Sequence, residues 1–133
     1  MITGPALLCL AAVVYHEARG EPVHAQHAVA QVVLNRAGRD PERVCTEARR
    51  PWQFAWKPGH EQARGHVKRP GGRAWLQAKV VAGSAWHVAD FTAGATHFHA
   101  VYVRPMWAPR MVEVGRWGGH IFYRELPRNG VVR

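Results

Sequence analysis

The sequence predicts an α+β fold, with a small antiparallel sheet set at one end of a group of helices. Two observations predict it. Before Asp90, three stretches carry apolar residues at helical spacing. After Asp90 the period shortens to the alternation expected of strands. Helices first and strands later segregate into α+β rather than building a parallel sheet.

Each element has its own signal. Thr3 precedes Gly4-Pro5, a helix start where the missing proline N–H costs nothing. Leu7, Leu8, Ala11, Val14, Tyr15 and Ala18 then form a core-facing stripe, and Gly20 supplies a left-handed cap. A second helix over 21–36, with Pro22 in its first turn, carries Ala25, Ala28, Val29, Val32 and Val33 on one face. Gly38 stops it. Residues 38–72 are loop-rich, with Pro41, Pro51, Pro58 and Pro70, and include a short helix over 41–48. Neither flank is large enough to fold alone, so this stretch is an excursion and not a linker. A third long helix over 73–89 is striped by Trp75, Ala78, Ala82, Ala85 and Ala89. Strands follow over 96–103 and 120–123. One domain is expected over 1–126, with 127–133 a frayed tail.

Composition narrows the function classes. A chain of 133 residues that is 47% apolar is a globular domain and not a disordered segment. No run approaches the ~20 apolar residues of a membrane-spanning helix. Residues 6–15 have the apolar character of a signal peptide. No Lys or Arg precedes them and no small-residue cleavage site follows, so they read as a mature helix without an export signal. Eighteen Lys and Arg against nine Asp and Glu give a net charge of +9, which favours a polyanionic partner. Cys9 and Cys45 are too few for a disulfide framework or a metal cage. Cys9 reads as a small buried hydrophobe, and the redox compartment is left open.

The densest chemical signal is Glu17-Ala18-Arg19-Gly20-Glu21-Pro22, at the junction of the first two helices. A carboxylate in the last turn of an apolar helix is disfavoured by the helix dipole and by low-dielectric surroundings. Both effects push its pKa towards the range of a general acid. The competing reading is a surface Glu paired with Arg19 or Arg36.

Further blocks decide between these readings. Gln26-His27-Ala28-Val29-Ala30-Gln31-Val32-Val33-Leu34-Asn35-Arg36 follows the first motif. Trp52-Gln53-Phe54-Ala55-Trp56, Asp90-Phe91-Thr92-Ala93-Gly94-Ala95-Thr96-His97-Phe98, Trp107 and Gly119-His120-Ile121-Phe122-Tyr123 come after it. In this order and spacing the chain resembles the SleB-like (spore-cortex-lytic) cell-wall hydrolases over nearly its whole length. Two departures are Ala25, where the family pattern has glycine, and the basic, glycine-rich stretch 60–73.

The resemblance implies a compact lysozyme-like domain that cuts peptidoglycan glycan strands, generally as a lytic transglycosylase forming a 1,6-anhydro sugar. Glu17 is then the catalytic acid, and neither a metal nor an organic cofactor is needed. A hydrolytic muramidase is the alternative and requires a second carboxylate ~5 to 9 Å away, for which Glu21 and Asp90 are the candidates. Glu21, Gln53, Trp56, Thr92, His97 and Tyr123 are the candidate substrate contacts. Trp52, Phe54 and Trp107 are further rings suited to stacking on sugars. The expected partners are peptidoglycan glycan strands and an anionic wall or outer-membrane surface, met by a monomer. The layout suits a phage endolysin that stays cytoplasmic until release and then acts at the wall.

Three rival readings rank lower. His16-Glu17 begins like a zinc-hydrolase H-E-x-x-H motif, but Gly20 stands where the second His belongs. His24 with His27, and His97 with His99, are the remaining pairs for a metal. Cys45 as a nucleophile has Arg neighbours but no protease-like surroundings. The basic residues from Arg39 to Arg73, interleaved with Trp52 and Trp56, suit a nucleic-acid module, yet they are scattered and form no known motif.

Overall fold

The computed structural model describes residues 2–50 and 71–127. Among the described residues, four α-helices are followed by three strands: α1 (Gly4–Ala18), α2 (Val23–Arg36), α3 (Pro41–Arg49), α4 (Gly72–Ala85), β1 (His97–Ala100), β2 (Val112–Trp117) and β3 (His120–Arg124). The strands form one antiparallel sheet in the order β1-β3-β2. The architecture is α+β as expected. No described helix is long and apolar enough to cross a membrane.

α2 is the centre of the domain. Ala25, Ala28, Val29, Val32 and Val33 are fully buried, and so are Ala30, Gln31 and Leu34 on its other faces. A helix buried nearly all round needs partners on every side, and α1, α3, α4 and the sheet supply them. In α1 the buried face is Leu10, Ala11, Val13, Val14, Tyr15 and Ala18. Leu8, assigned to the core stripe above, is instead 50% exposed, because α1 packs between neighbours and its apolar face is displaced towards Val13. Gly20 (φ +82°) takes the left-handed conformation expected of it, and Gly38, expected only to stop α2, is left-handed as well (φ +63°).

Two elements differ from expectation for reasons outside their own sequence. α4 ends at Ala85 and not at residue 89, leaving Ala89 exposed. The amide of buried Gln31 on α2 donates to the Ala85 and Val88 carbonyls (3.1 and 3.3 Å), satisfying groups that a continuing helix would have used. β1 is likewise only four residues long, since Val101 enters a turn in which its N–H reaches Gly119 O (2.9 Å).

β2 was not anticipated at all. A bulge between Glu113 and Gly115 breaks its alternation, and the Trp117 ring lies where a Cβ on Gly115 would sit, at 2.6 Å. The inner face of the sheet carries Phe98 and Phe122, stacked at 5.5 Å between centroids, and they extend the helical core.

Candidate active site

Glu17 occupies the last turn of α1, partly buried. It borders a cavity of about 440 Å³ lined by Leu8, Cys9, Ala12, Val13 and His16 of α1 and by Ala48 and Arg49 of α3. Most of this wall is apolar, and among the described residues Glu17, His16 and Arg49 are its ionisable groups. The two arginines considered as surface partners for Glu17 have other contacts. Arg19 donates to the Tyr15 hydroxyl (2.9 Å) and lies over its ring. Arg36 lies 3.7 Å from Glu47 and also donates to Thr96 O.

Cys9 and Cys45 form a disulfide, which corrects their reading as a buried thiol and a possible nucleophile. They lie 36 residues apart in sequence, but the packing of α1 on α3 brings their Cα atoms to 5.2 Å. Residue spacing alone carries no trace of that approach. The bond ties together the two helices that line the Glu17 cavity.

Glu21 lies beyond the Gly20 turn, and its carboxylate faces the tight turn between β2 and β3. Gly119 N–H donates to Oε2 (3.2 Å), and His120 Nδ1 lies 3.9 Å from Oε1. Burial pushes the His120 pKa down, an effect Glu21 partly opposes and His99 reinforces. Ala25 packs beneath the same turn: its Cβ would stand 2.9 Å from a Cβ on Gly118.

Asp90 organises the loop that leads into β1. It accepts hydrogen bonds from Thr92 N (2.8 Å), Thr92 Oγ1, Gly94 N (3.0 Å) and Asn35 Nδ2 (3.0 Å). Burial alone would raise its pKa, but these bonds outweigh it and hold the carboxyl below its ordinary value. Thr92 is fully buried, and its hydroxyl also accepts from Ala95 N (3.3 Å). Both side chains therefore serve the loop. Asp90→Ala would strand three part-buried donors, Thr92 N, Thr92 Oγ1 and Asn35 Nδ2, and should cost about 3 kcal/mol in urea denaturation. A loss below about 1 kcal/mol would contradict this account of the loop.

His97 and Tyr123 are direct cross-strand partners on the outer face of the sheet. Together with His99 they pack around Trp107, with centroids 5.1 to 5.7 Å from its ring. His99 Nδ1 donates to Ala100 O (2.7 Å), so in neutral His99 the Nε2 atom accepts from the Tyr123 hydroxyl (2.7 Å). Tyr123 is buried with its hydroxyl turned to His99, and burial and then Glu113 raise its pKa. Gln53 and Trp56, with Trp52 and Phe54, lie outside the described residues. Among the described residues, no three His, Cys, Asp or Glu side chains converge as a metal site requires.

Three buried or partly buried histidines have a consequence for pH. Burial lowers the pKa of His27, His97 and His120 below 6.5, and Arg36 lowers that of His97 further. Below that value the unfolded chain takes up protons that the folded chain resists, so stability falls as pH falls. Tm should therefore drop between about pH 7.5 and about pH 5.5. A flat Tm over that interval would mean these rings protonate without penalty.

With this geometry in place, comparison with known proteins is informative. The family model described as Cell Wall Hydrolase matches residues 20–123. The chain belongs to the cell wall hydrolase family. The match begins at Gly20, so Glu17 lies three residues before it. Two solved structures are similar. The catalytic domain of the Bacillus cereus SleB protein is 26% identical, with a TM-score of 0.71 over 93% of each chain. The catalytic domain of the germination-specific lytic transglycosylase SleB from Bacillus anthracis is also 26% identical, with a TM-score of 0.71 over 92% of this chain and 96% of that one. No curated protein matches this sequence.

His16 and Arg49 were not singled out as cavity residues from the sequence. His16 adjoins Glu17 and was legible in principle. Arg49 reaches the cavity only through the packing of α3, for which no local signal exists.

Proposed function

We propose that this chain cleaves the glycan strands of peptidoglycan as a lytic transglycosylase, with Glu17 as general acid and then general base. The observation that carries this reading is the likeness, over nine-tenths of both chains, to a catalytic domain described as a lytic transglycosylase. Glu17 provides the chemistry: it is a carboxyl group at a helix C-terminus, on a largely apolar cavity. In the first half-reaction its proton passes to the glycosidic oxygen as the C1–O bond breaks. In the second, the Glu17 carboxylate takes the proton of the sugar's own 6-hydroxyl as that oxygen bonds to C1. The acid is regenerated, and no water is consumed.

Among the described residues, the carboxylates weighed as a second acid have other roles, which supports one catalytic acid rather than two. Asp90 is occupied by the loop and Glu21 by the β2–β3 turn. Glu47 is buried between Arg36, Arg43 and Arg50. We assign Gln53, Trp56 and the His97 face to substrate contact, whereas the buried hydroxyl groups of Thr92 and Tyr123 support their surroundings. The charge of +9 suits an anionic wall, and a disulfide suits an oxidising, wall-facing compartment. Mass spectrometry of muropeptides released from purified peptidoglycan tests the reading. Anhydro ends are expected; products one water heavier would instead favour a hydrolytic muramidase.

A further inference from the structure

We propose that Glu21 is a positioning residue for Glu17: its carboxylate clamps the β2–β3 turn onto the corner between α1 and α2, and so fixes the end of the helix that carries Glu17. This rests on the reading of Glu17 as the catalytic acid.

The corner between α1 and α2 is held by backbone bonds and by the Glu21 side chain. It pivots on Gly20 (φ +82°), a residue with little conformational preference of its own. Glu21 restrains it on both sides. Its backbone N–H donates to Ala18 O (3.0 Å), one residue after Glu17. Its carbonyl accepts from the Gln26 amide (3.0 Å), which also donates to Gln77 of α4 (2.9 Å). Its side chain then crosses to the sheet and accepts from Gly119 N–H (3.2 Å).

The turn is shaped for this carboxylate. A Cβ on Gly118 would stand 2.5 Å from Oε2, and one on Gly119 would stand 2.8 Å from Oε1. Gly118 also has φ +58°, so two separate constraints favour glycine there. The turn leads directly into β3, the central strand, whose Phe122 is fully buried. The central strand of the sheet is thereby connected, through this carboxylate, to the end of α1. A carboxylate already held by a backbone N–H works as a clamp. What it must supply is an acceptor oxygen, and glutamine has one too.

Gly119 offers the sharper test, because its φ is not in the left-handed region and alanine adds only a Cβ aimed at Glu21. Four variants, Glu21→Gln, Glu21→Ala, Gly119→Ala and Glu21→Ala with Gly119→Ala, would be assayed for kcat and KM on soluble glycan strands and for Tm. Misplacing an acid by a fraction of an ångström costs rate more than affinity. Glu21→Gln should stay within about threefold of wild-type kcat, and Glu21→Ala and Gly119→Ala should each lose about tenfold or more at similar KM. The double variant should be no worse than Glu21→Ala alone, because removing the carboxylate makes room for the new methyl group.

Glu21→Gln as inactive as Glu17→Gln would overturn the proposal, since the charge itself would then be required. So would wild-type kcat in Glu21→Ala, or additive losses in the double variant. Losses of Tm without loss of kcat would reduce the clamp to a structural contact and overturn the positioning role. A wild-type chain that cuts no glycan would sink the Glu17 reading and this role with it. The Tm couplings of the four proteins would still separate that failure from the absence of the clamp.

Discussion

Glu17→Gln is expected to lower the rate of glycan cleavage by about 10² to 10⁴, the usual contribution of a positioned general acid–base group. The substitution keeps the shape and one acceptor oxygen of the side chain, and removes its negative charge and its capacity to give and take a proton. Partly buried at a helix end, the site tolerates the neutral amide easily, since the helix dipole disfavours a negative charge there. Folding and KM should both change little beside the loss of rate. A rate loss accompanied by a comparable fall in Tm would point to a structural Glu17 instead.

Reducing the Cys9–Cys45 bond should destabilise the domain by about 4 kcal/mol, on the chain-entropy account of a loop closed over 36 residues. For a chain of this length that corresponds to a fall in Tm of roughly 10 to 15 °C. Cys45→Ser should reproduce most of the effect, and dithiothreitol should add nothing further to that variant. Catalysis should suffer alongside stability, because the bond joins the two helices that line the Glu17 cavity. Intact mass before and after reduction checks the premise. The untreated chain should be two hydrogens lighter, and identical masses would dispose of the disulfide.

Much of this molecule was legible in its sequence, for definite reasons. The α2 stripe and the glycines at 20 and 38 are set by local chemistry, and local chemistry is visible in a linear pattern. The motif around Glu17 was legible because its blocks occur in a family order. What escaped depends on contacts across the fold. The end of α4 is set by Gln31 from another helix, and β2 is disguised by a bulge that Trp117 covers. The disulfide and the approach of Arg49 both follow from how α3 lies on α1. Leu8 shows the same limit at the scale of one residue: its spacing is that of a core position, yet the neighbours of α1 leave it on the cavity rim.

The most direct test of Glu17-dependent transglycosylation is to digest purified peptidoglycan in oxygen-18-enriched water with the wild-type chain and with Glu17→Gln, and to weigh the released muropeptides. The account predicts anhydro products free of the heavy isotope from wild type and almost no product from the variant. Reducing ends that carry one heavy oxygen, or equal release by the two proteins, would contradict it.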